Sequence, residues 1–179
     1  GAVNRKLIME ADNSVHFENA SLAIAQSLTR KNVSGVFVGP IASMVFGNGG
    51  TSVSGSGVIT YLSKNTVGQN ATLYNQTYSK IVDPNSPNNV NTTRNDMDVA
   101  HVSGNLFSDI IVVCTLEFGE PSGQDVLDNT SNLNSNFVFD EIGLVNYDGK
   151  LISHVLHAPT QKSANRIFEI HYTLRVSMV

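Results

Sequence analysis

Hydrophobic and polar positions alternate most clearly at the C-terminal end of this chain. Over 136–144, Phe137, Phe139 and Glu141 fall on one side and Val138 and Ile142 on the other, the period-2 pattern of a strand. Asn146-Tyr147-Asp148-Gly149 then supplies turn chemistry, so that 151–157 returns antiparallel, and Pro159 is expected to break that ladder. Residues 167–176 alternate Ile167, Glu169, His171, Thr173 and Arg175 against Phe168, Ile170, Tyr172, Leu174 and Val176, a long amphipathic final strand.

Upstream, 110–116 is the most continuous apolar block, read as a buried strand, and Gly119-Glu120-Pro121-Ser122-Gly123 stops it. Residues 33–40 and 41–46 read as two strands punctuated by Gly39-Pro40, and Gly47-Asn48-Gly49-Gly50 ends the second where the backbone needs most freedom. The stretches 53–61 and 71–82 contribute further strand patterning. The stretch 19–31 fits a short helix, with Asn19 or Ser21 as N-cap, although Leu22, Ile24, Gln26 and Leu28 also fit alternation. Residues 83–99 hold almost no large apolar groups and are expected to form a surface or partner-contact loop.

The pattern predicts an all-β, mainly antiparallel fold: a β-sandwich of about seven or eight strands with long polar loops and at most one short helix. An N-terminal arm is expected over 1–18 and a single domain over 19–179, with its polar excursion at 83–105. A chain of 179 residues with 41% hydrophobic content can bury one sizeable core.

Composition narrows the partners. A net charge of −4 with 15% charged residues offers no general attraction to nucleic acid or acidic membranes, so neither is expected as a partner. No stretch approaches the roughly 20 apolar residues of a membrane span. Residues 3–12 mix Arg5, Lys6, Glu10 and Asp12 with apolar residues, unlike a secretory signal, so the expectation is a soluble protein made in a reducing cytosol. Gly1 at the start is compatible with a tag remnant, Met removal or a processing cut. Cys114 stands alone, so neither a disulfide framework nor a cysteine metal site is expected.

Candidate chemistry is thin. His154 and His157 are an odd number of residues apart, which on a strand puts them on opposite faces; His171 lies on the polar side of the last strand, and His16 and His101 have no local partner. The adjacent acids Asp140 and Glu141 are likewise expected on opposite faces, while Glu117 and Glu120 form a second carboxylate pair. The glycine loop has no Gly-x-x-x-x-Gly-Lys-Ser/Thr order, and Ser122 lacks the Gly-x-Ser-x-Gly elbow. No enzyme activity, catalytic residue, cofactor, metal or small-molecule substrate is expected.

Three segments carry a resemblance. Phe46-Gly47-Asn48-Gly49-Gly50 is similar to a Gly-x-Gly-Gly turn, and Leu73-Tyr74-Asn75-Gln76-Thr77-Tyr78 to a Leu-x-Asn-Glu-x-Tyr segment with Gln76 in place of the acid. Phe139-Asp140-Glu141-Ile142-Gly143-Leu144, followed by Asp148-Gly149-Lys150-Leu151-Ile152, is similar to a Glu-x-Gly-Leu strand and an Asp-Gly-x-Leu turn. In this order they resemble the N-terminal attachment domain of bacteriophage tail-collar fibre proteins, over roughly 36–176. The family's structural motif then falls on Gly47, Gly49, Gly50, Leu73, Asn75, Tyr78, Glu141, Gly143, Leu144, Asp148 and Gly149. This sequence departs from the family in its enlarged loop at 83–105, and its 179 residues include none of the repetitive fibre expected after such a domain.

The resemblance implies a non-enzymatic virion structural protein of the tail, neck, collar or baseplate, made in the host bacterial cytoplasm and assembling in multiple copies. Its partners would be copies of itself and neighbouring virion proteins, met through loops and the arm. Alternatives are a capsid decoration protein, which a proteolytically produced Gly1 would favour, and a receptor- or glycan-binding module using Tyr61, Tyr74 and Tyr78.

Overall fold

The computed structural model describes residues 4–35, 39–68, 71–126 and 135–178. Its elements are β1 (Asn13–Val15), α1 (Phe17–Thr29), β2 (Ile41–Gly47), β3 (Thr51–Val53), β4 (Ile59–Tyr61), β5 (Gln76–Ile81), β6 (Asp96–Ala100), β7 (Phe107–Leu116), β8 (Val138–Asn146), β9 (Leu151–Gln161) and β10 (Phe168–Ser177). All pairings are antiparallel. A five-stranded sheet runs β1-β9-β8-β2-β5, a three-stranded sheet runs β10-β7-β6, and β3 pairs with β4 as a separate hairpin.

The two larger sheets meet across one core. Met44, Phe46, Ile142, Leu144 and Val155 from the five-stranded sheet pack with Val112, Cys114, Leu116, Tyr172 and Leu174 from the other. This is the mainly antiparallel all-β sandwich that the alternation predicts. Phe46 anchors the layer, with its ring 5.1 Å from Phe139 and 6.3 Å from Tyr78. A second apolar cluster joins Val45, Leu73, Val145 and Leu151, so β8 lies between two cores and all its residues are buried. Burial pushes the Cys114 thiol up to about 12, in keeping with an inert core residue.

Several local expectations change. The described residues form ten strands, because β1, β3 and β4 are three-residue pairings too short to show periodicity. The last residues of the expected arm belong to β1 and to the start of α1. The polar excursion contains edge strand β6 and is held by its own amides: Asn89 Nδ2 donates to the Asp83 and Asn95 carbonyls, and the buried Asn95 accepts from Thr115 N. Pro159 does not end β9. It sits where the β8–β9 register shifts, between the pairs Phe139–Thr160 and Glu141–Leu156, so its missing N–H costs no regular ladder bond. The expected strand over 33–40 lies partly outside the described residues, as does the connection over 124–135.

Helix α1 is present but starts earlier than expected. His16, not Asn19 or Ser21, is its N-cap, with Nδ1 accepting from Asn19 N at 3.1 Å. The helix buries Asn19 and Gln26 and exposes Phe17, Ile24 and Leu28. Polar bonds explain the inversion, since Asn19 Nδ2 donates to Leu151 O at 2.8 Å and Gln26 Oε1 accepts from Gly39 N at 3.2 Å.

At the far end of the sandwich, the fully buried Lys162 donates to Glu117 O, Gln124 Oε1 and Ser163 O, fastening the turn after β7 to the end of β9. Burial is the main reason its amine is pushed down to about 8.

Phe46→Ala removes the central ring of the core, and chemical denaturation is expected to show a loss of about 3–5 kcal/mol. An unchanged midpoint would mean that Phe46 does not anchor the sandwich.

Candidate functional site

The motif segments meet at two adjacent carboxylates on β8. Glu141 is fully buried. Its Oε2 accepts from Gly49 N at 3.1 Å and Asn75 N at 2.9 Å, and its Oε1 accepts from Tyr74 N at 2.9 Å and His154 Nε2 at 3.0 Å. Four donors fill the acceptor capacity of a carboxylate. Asp140 takes the next stretch of the same loop, accepting from Gly50 N at 3.0 Å, Thr51 N at 2.9 Å and Thr51 Oγ1 at 2.7 Å.

Strict alternation would send these two side chains to opposite faces. The β8–β9 register shifts between Phe139 and Glu141, and the irregularity there lets both acids reach the glycine loop.

The three glycines serve close approach. None of Gly47, Gly49 and Gly50 has a positive φ, so the expected need for backbone freedom is not the reason for them. A Cβ on Gly47 would collide with the Asn75 carbonyl, one on Gly49 would stand 2.9 Å from Tyr74 Cβ, and one on Gly50 would strike Leu156. Their N–H groups can approach the carboxylates because no side chain stands in the way. Gly143 is equally tight, since a Cβ there would meet Leu151 at 2.9 Å and Leu73 at 3.0 Å.

The other motif residues lie around this knot. Asn75 bonds back to the glycine loop, its carbonyl accepting from Asn48 N at 3.1 Å and its side chain donating to Asn48 Oδ1. Leu73 and Leu144 are buried core residues. Tyr78 packs against Phe46, and burial, with Glu120 beside it, raises its pKa. Gly149 has φ 77° and closes the β8–β9 turn, which is held by Asn146 Oδ1 accepting from Asp148 N at 3.0 Å and Lys150 N at 2.8 Å. That hairpin sets Gly143 beside His154.

His154 joins a fourth segment. Its Nδ1 accepts from Asn65 N at 3.0 Å, which places the ring hydrogen on Nε2, facing Glu141. Sequence reasoning missed this role because the partner lies on a neighbouring strand. His16 and His101 also have partners, the Asn19 amide and the Phe107–Ser108 segment respectively. His157 donates from Nδ1 to Ala158 O at 2.8 Å, and burial lowers its pKa. The exposed His171 pairs with Glu169 at 2.7 Å. Glu117 and Glu120 pair with Arg94 and Lys80. Among the described residues no cluster of three or more His, Cys, Asp or Glu could hold a metal ion. No helix among them is long and apolar enough to cross a membrane.

Comparison with protein-family models, curated proteins and solved structures finds no match.

Burial alone would raise the Glu141 pKa, but hydrogen bonds from His154, Asn75, Tyr74 and Gly49 more than offset it and hold the carboxyl below the usual range. A depressed folded-state pKa gives stability that is fully present above the unfolded value of about 4.3 and is lost as pH falls through the folded value. Glu141→Gln replaces an acceptor with a donor that faces backbone N–H groups, and is expected to cost about 2–4 kcal/mol at neutral pH. Urea titrations from pH 7 down to pH 3 should show the variant losing less further stability than the parent; parallel acid profiles would remove Glu141 as a source of the acid sensitivity. Gly50→Ala should cost about 1–3 kcal/mol in the same titration at neutral pH.

Proposed function

We propose that this chain is a non-enzymatic virion structural protein of the tail, neck, collar or baseplate, used in multiple copies. One observation supports the reading above others: Gly49, Asn75 and Glu141, from the three segments that resemble the phage attachment domain, meet in one hydrogen-bonded knot. The residues of the resemblance thus share a physical task, which is to hold a loop-bearing sandwich in one register. The acid–histidine pair at its centre is spent on backbone donors and is buried away from any substrate.

The glycan-binding alternative is less favoured, because its three tyrosines are not equally available. Tyr74 donates its hydroxyl to Ser63 O and leans on His154 while staying 42% exposed, Tyr61 is exposed, and Tyr78 is half-buried against Phe46. Tyr61 borders an open groove of about 560 Å3 with Ser14, Lys64, Thr66 and Leu156.

Mass spectrometry of purified particles from a host that expresses the chain, with immunogold imaging of the same particles, tests the proposal. The expected result is stoichiometric presence with label at the tail, neck or baseplate. Label over the head surface would favour the decoration reading, and absence from particles would overturn the virion role.

A further inference from the structure

The three-stranded sheet finishes its two edges differently. Met178 N donates to Leu106 O, which continues the β10–β7 register in which Phe168 faces Leu116 and Ser177 faces Phe107. The even-numbered residues of β10 therefore bond to β7, and the backbone groups of Glu169, His171, Thr173 and Arg175 point outward. On β7 the odd-numbered residues bond to β6, so Met97 and Val99 have the outward groups of that strand.

The β6 edge is blocked by its own sequence. Met97 N donates to Asp96 Oδ1 and Val99 N to Asp98 Oδ1, each at 2.8 Å, so a neighbouring strand finds these N–H groups taken and carboxylates in the way. The β10 edge carries no such block. Among the described residues, the one contact to this backbone between Glu169 and Arg175 is at Thr173 O, which accepts from Asn13 Nδ2 at 2.9 Å.

The N-terminal arm guards this edge without pairing to it. Arg5 touches Glu169 and Asn13 touches Thr173, so eight positions of arm lie against four of β10 and the arm cannot follow the edge residue for residue: Met9 turns in to pack on the core while its neighbours stand out. Leu7 and Ile8, in the slack stretch, are exposed at 77% and 53%. Arg5 itself is 78% exposed at a 3.4 Å ion pair, so the arm before Met9 is held weakly.

We infer that the outward edge of β10 is a docking edge for β10 of a second copy of this chain, covered in the free protein by residues 4–12. The charge pattern selects the occupant. Antiparallel pairing centred on Tyr172 sets Glu169 opposite Arg175 of the second copy and His171 opposite Thr173 of the second copy, and two-fold symmetry makes each contact twice. Arg175 is already fixed in place by a bidentate pair with Asp109 and by stacking 3.8 Å over Phe107. The joined edges would form one six-stranded sheet. The inference rests on the multiple-copy reading above and gives it a surface.

Sedimentation equilibrium of the full chain is expected to show a concentration-dependent dimer. Thr173→Pro removes an outward N–H that makes no bond to β7, and should abolish the dimer with the circular dichroism unchanged. Arg5→Ala with Asn13→Ala loosens the guard and should tighten the dimer by roughly tenfold. Should Thr173→Pro fail to fold, oxidation of mixed single variants decides: His171→Cys should cross-link to Thr173→Cys, and neither to itself, because only the mixed pair sits directly opposite. A monomer across the soluble concentration range overturns the inference, as does a dimer that survives Thr173→Pro. Loss of the dimer on loosening the arm also overturns it, because that would make the arm the exchanged element. A chain found in particles but monomeric in solution removes this edge contact and leaves the virion role intact, whereas absence from particles removes only the latter.

Discussion

A carboxylate with no exposure to water must be met by donors or give up its charge, and Glu141 is met by four. These donors come from the glycine loop, the segment before β5, and β9. The Glu141 charge therefore acts as a registration pin. Any slip of β2, β8 or β9 relative to the others would leave a buried charge or several backbone N–H groups unpaired, and each of those costs more than a misplaced methyl group. Gly47, Gly49 and Gly50 follow from the same demand, because the backbone must come within hydrogen-bond distance of β8 where a Cβ would already be in contact. The irregular β8–β9 register at Asp140 follows too, since it turns the second acid onto the next two residues of the loop.

The apolar layers work around this pin. Phe46 leaves β2 one residue before Gly47, so the strand that feeds the glycine loop also places the main core ring. Gly143 lets Leu151 and Leu73 close over β8 on its other face. Hydrophobic burial supplies the bulk of the stabilisation without fixing direction, and the polar knot selects one arrangement of strands among those that would bury similar area.

Much of the fold was legible where information is local. The apolar block of β7, the alternation of β8 and β10 and the Asp148-Gly149 turn are properties of short windows, and the structure places β8 and β10 within two residues of the sequence reading and starts β7 three residues before it. What could not be read depends on distant partners. The strand β6 is five residues set in a polar stretch, an edge whose carboxylates cap its own N–H groups. Helix α1 inverts its pattern because Asn19 and Gln26 find backbone partners at Leu151 and Gly39. His154 is uninformative in isolation, and only the β8–β9 pairing brings it to Glu141. The motif residues could be named from sequence, but their meeting at one carboxylate could not, because 49, 75 and 141 are joined by the fold and not by spacing.

The same pair shows how a scaffold and an active site are told apart. A buried acid bonded to a histidine is the arrangement that general acid–base catalysis uses, and in sequence terms Glu141 and His154 would qualify. Catalysis needs a lone pair or proton directed at a space that a substrate can enter. Here Glu141 has four protein donors, and His154 spends Nδ1 on Asn65 and Nε2 on Glu141, with both side chains fully buried. The outward-facing backbone of β10 is the reverse case, with unremarkable chemistry and no strand paired along it among the described residues. In this chain the strongest polar chemistry is turned inward to fix register, and the groups left facing outward are the repeating donors and acceptors of a strand edge, which another strand is best shaped to meet.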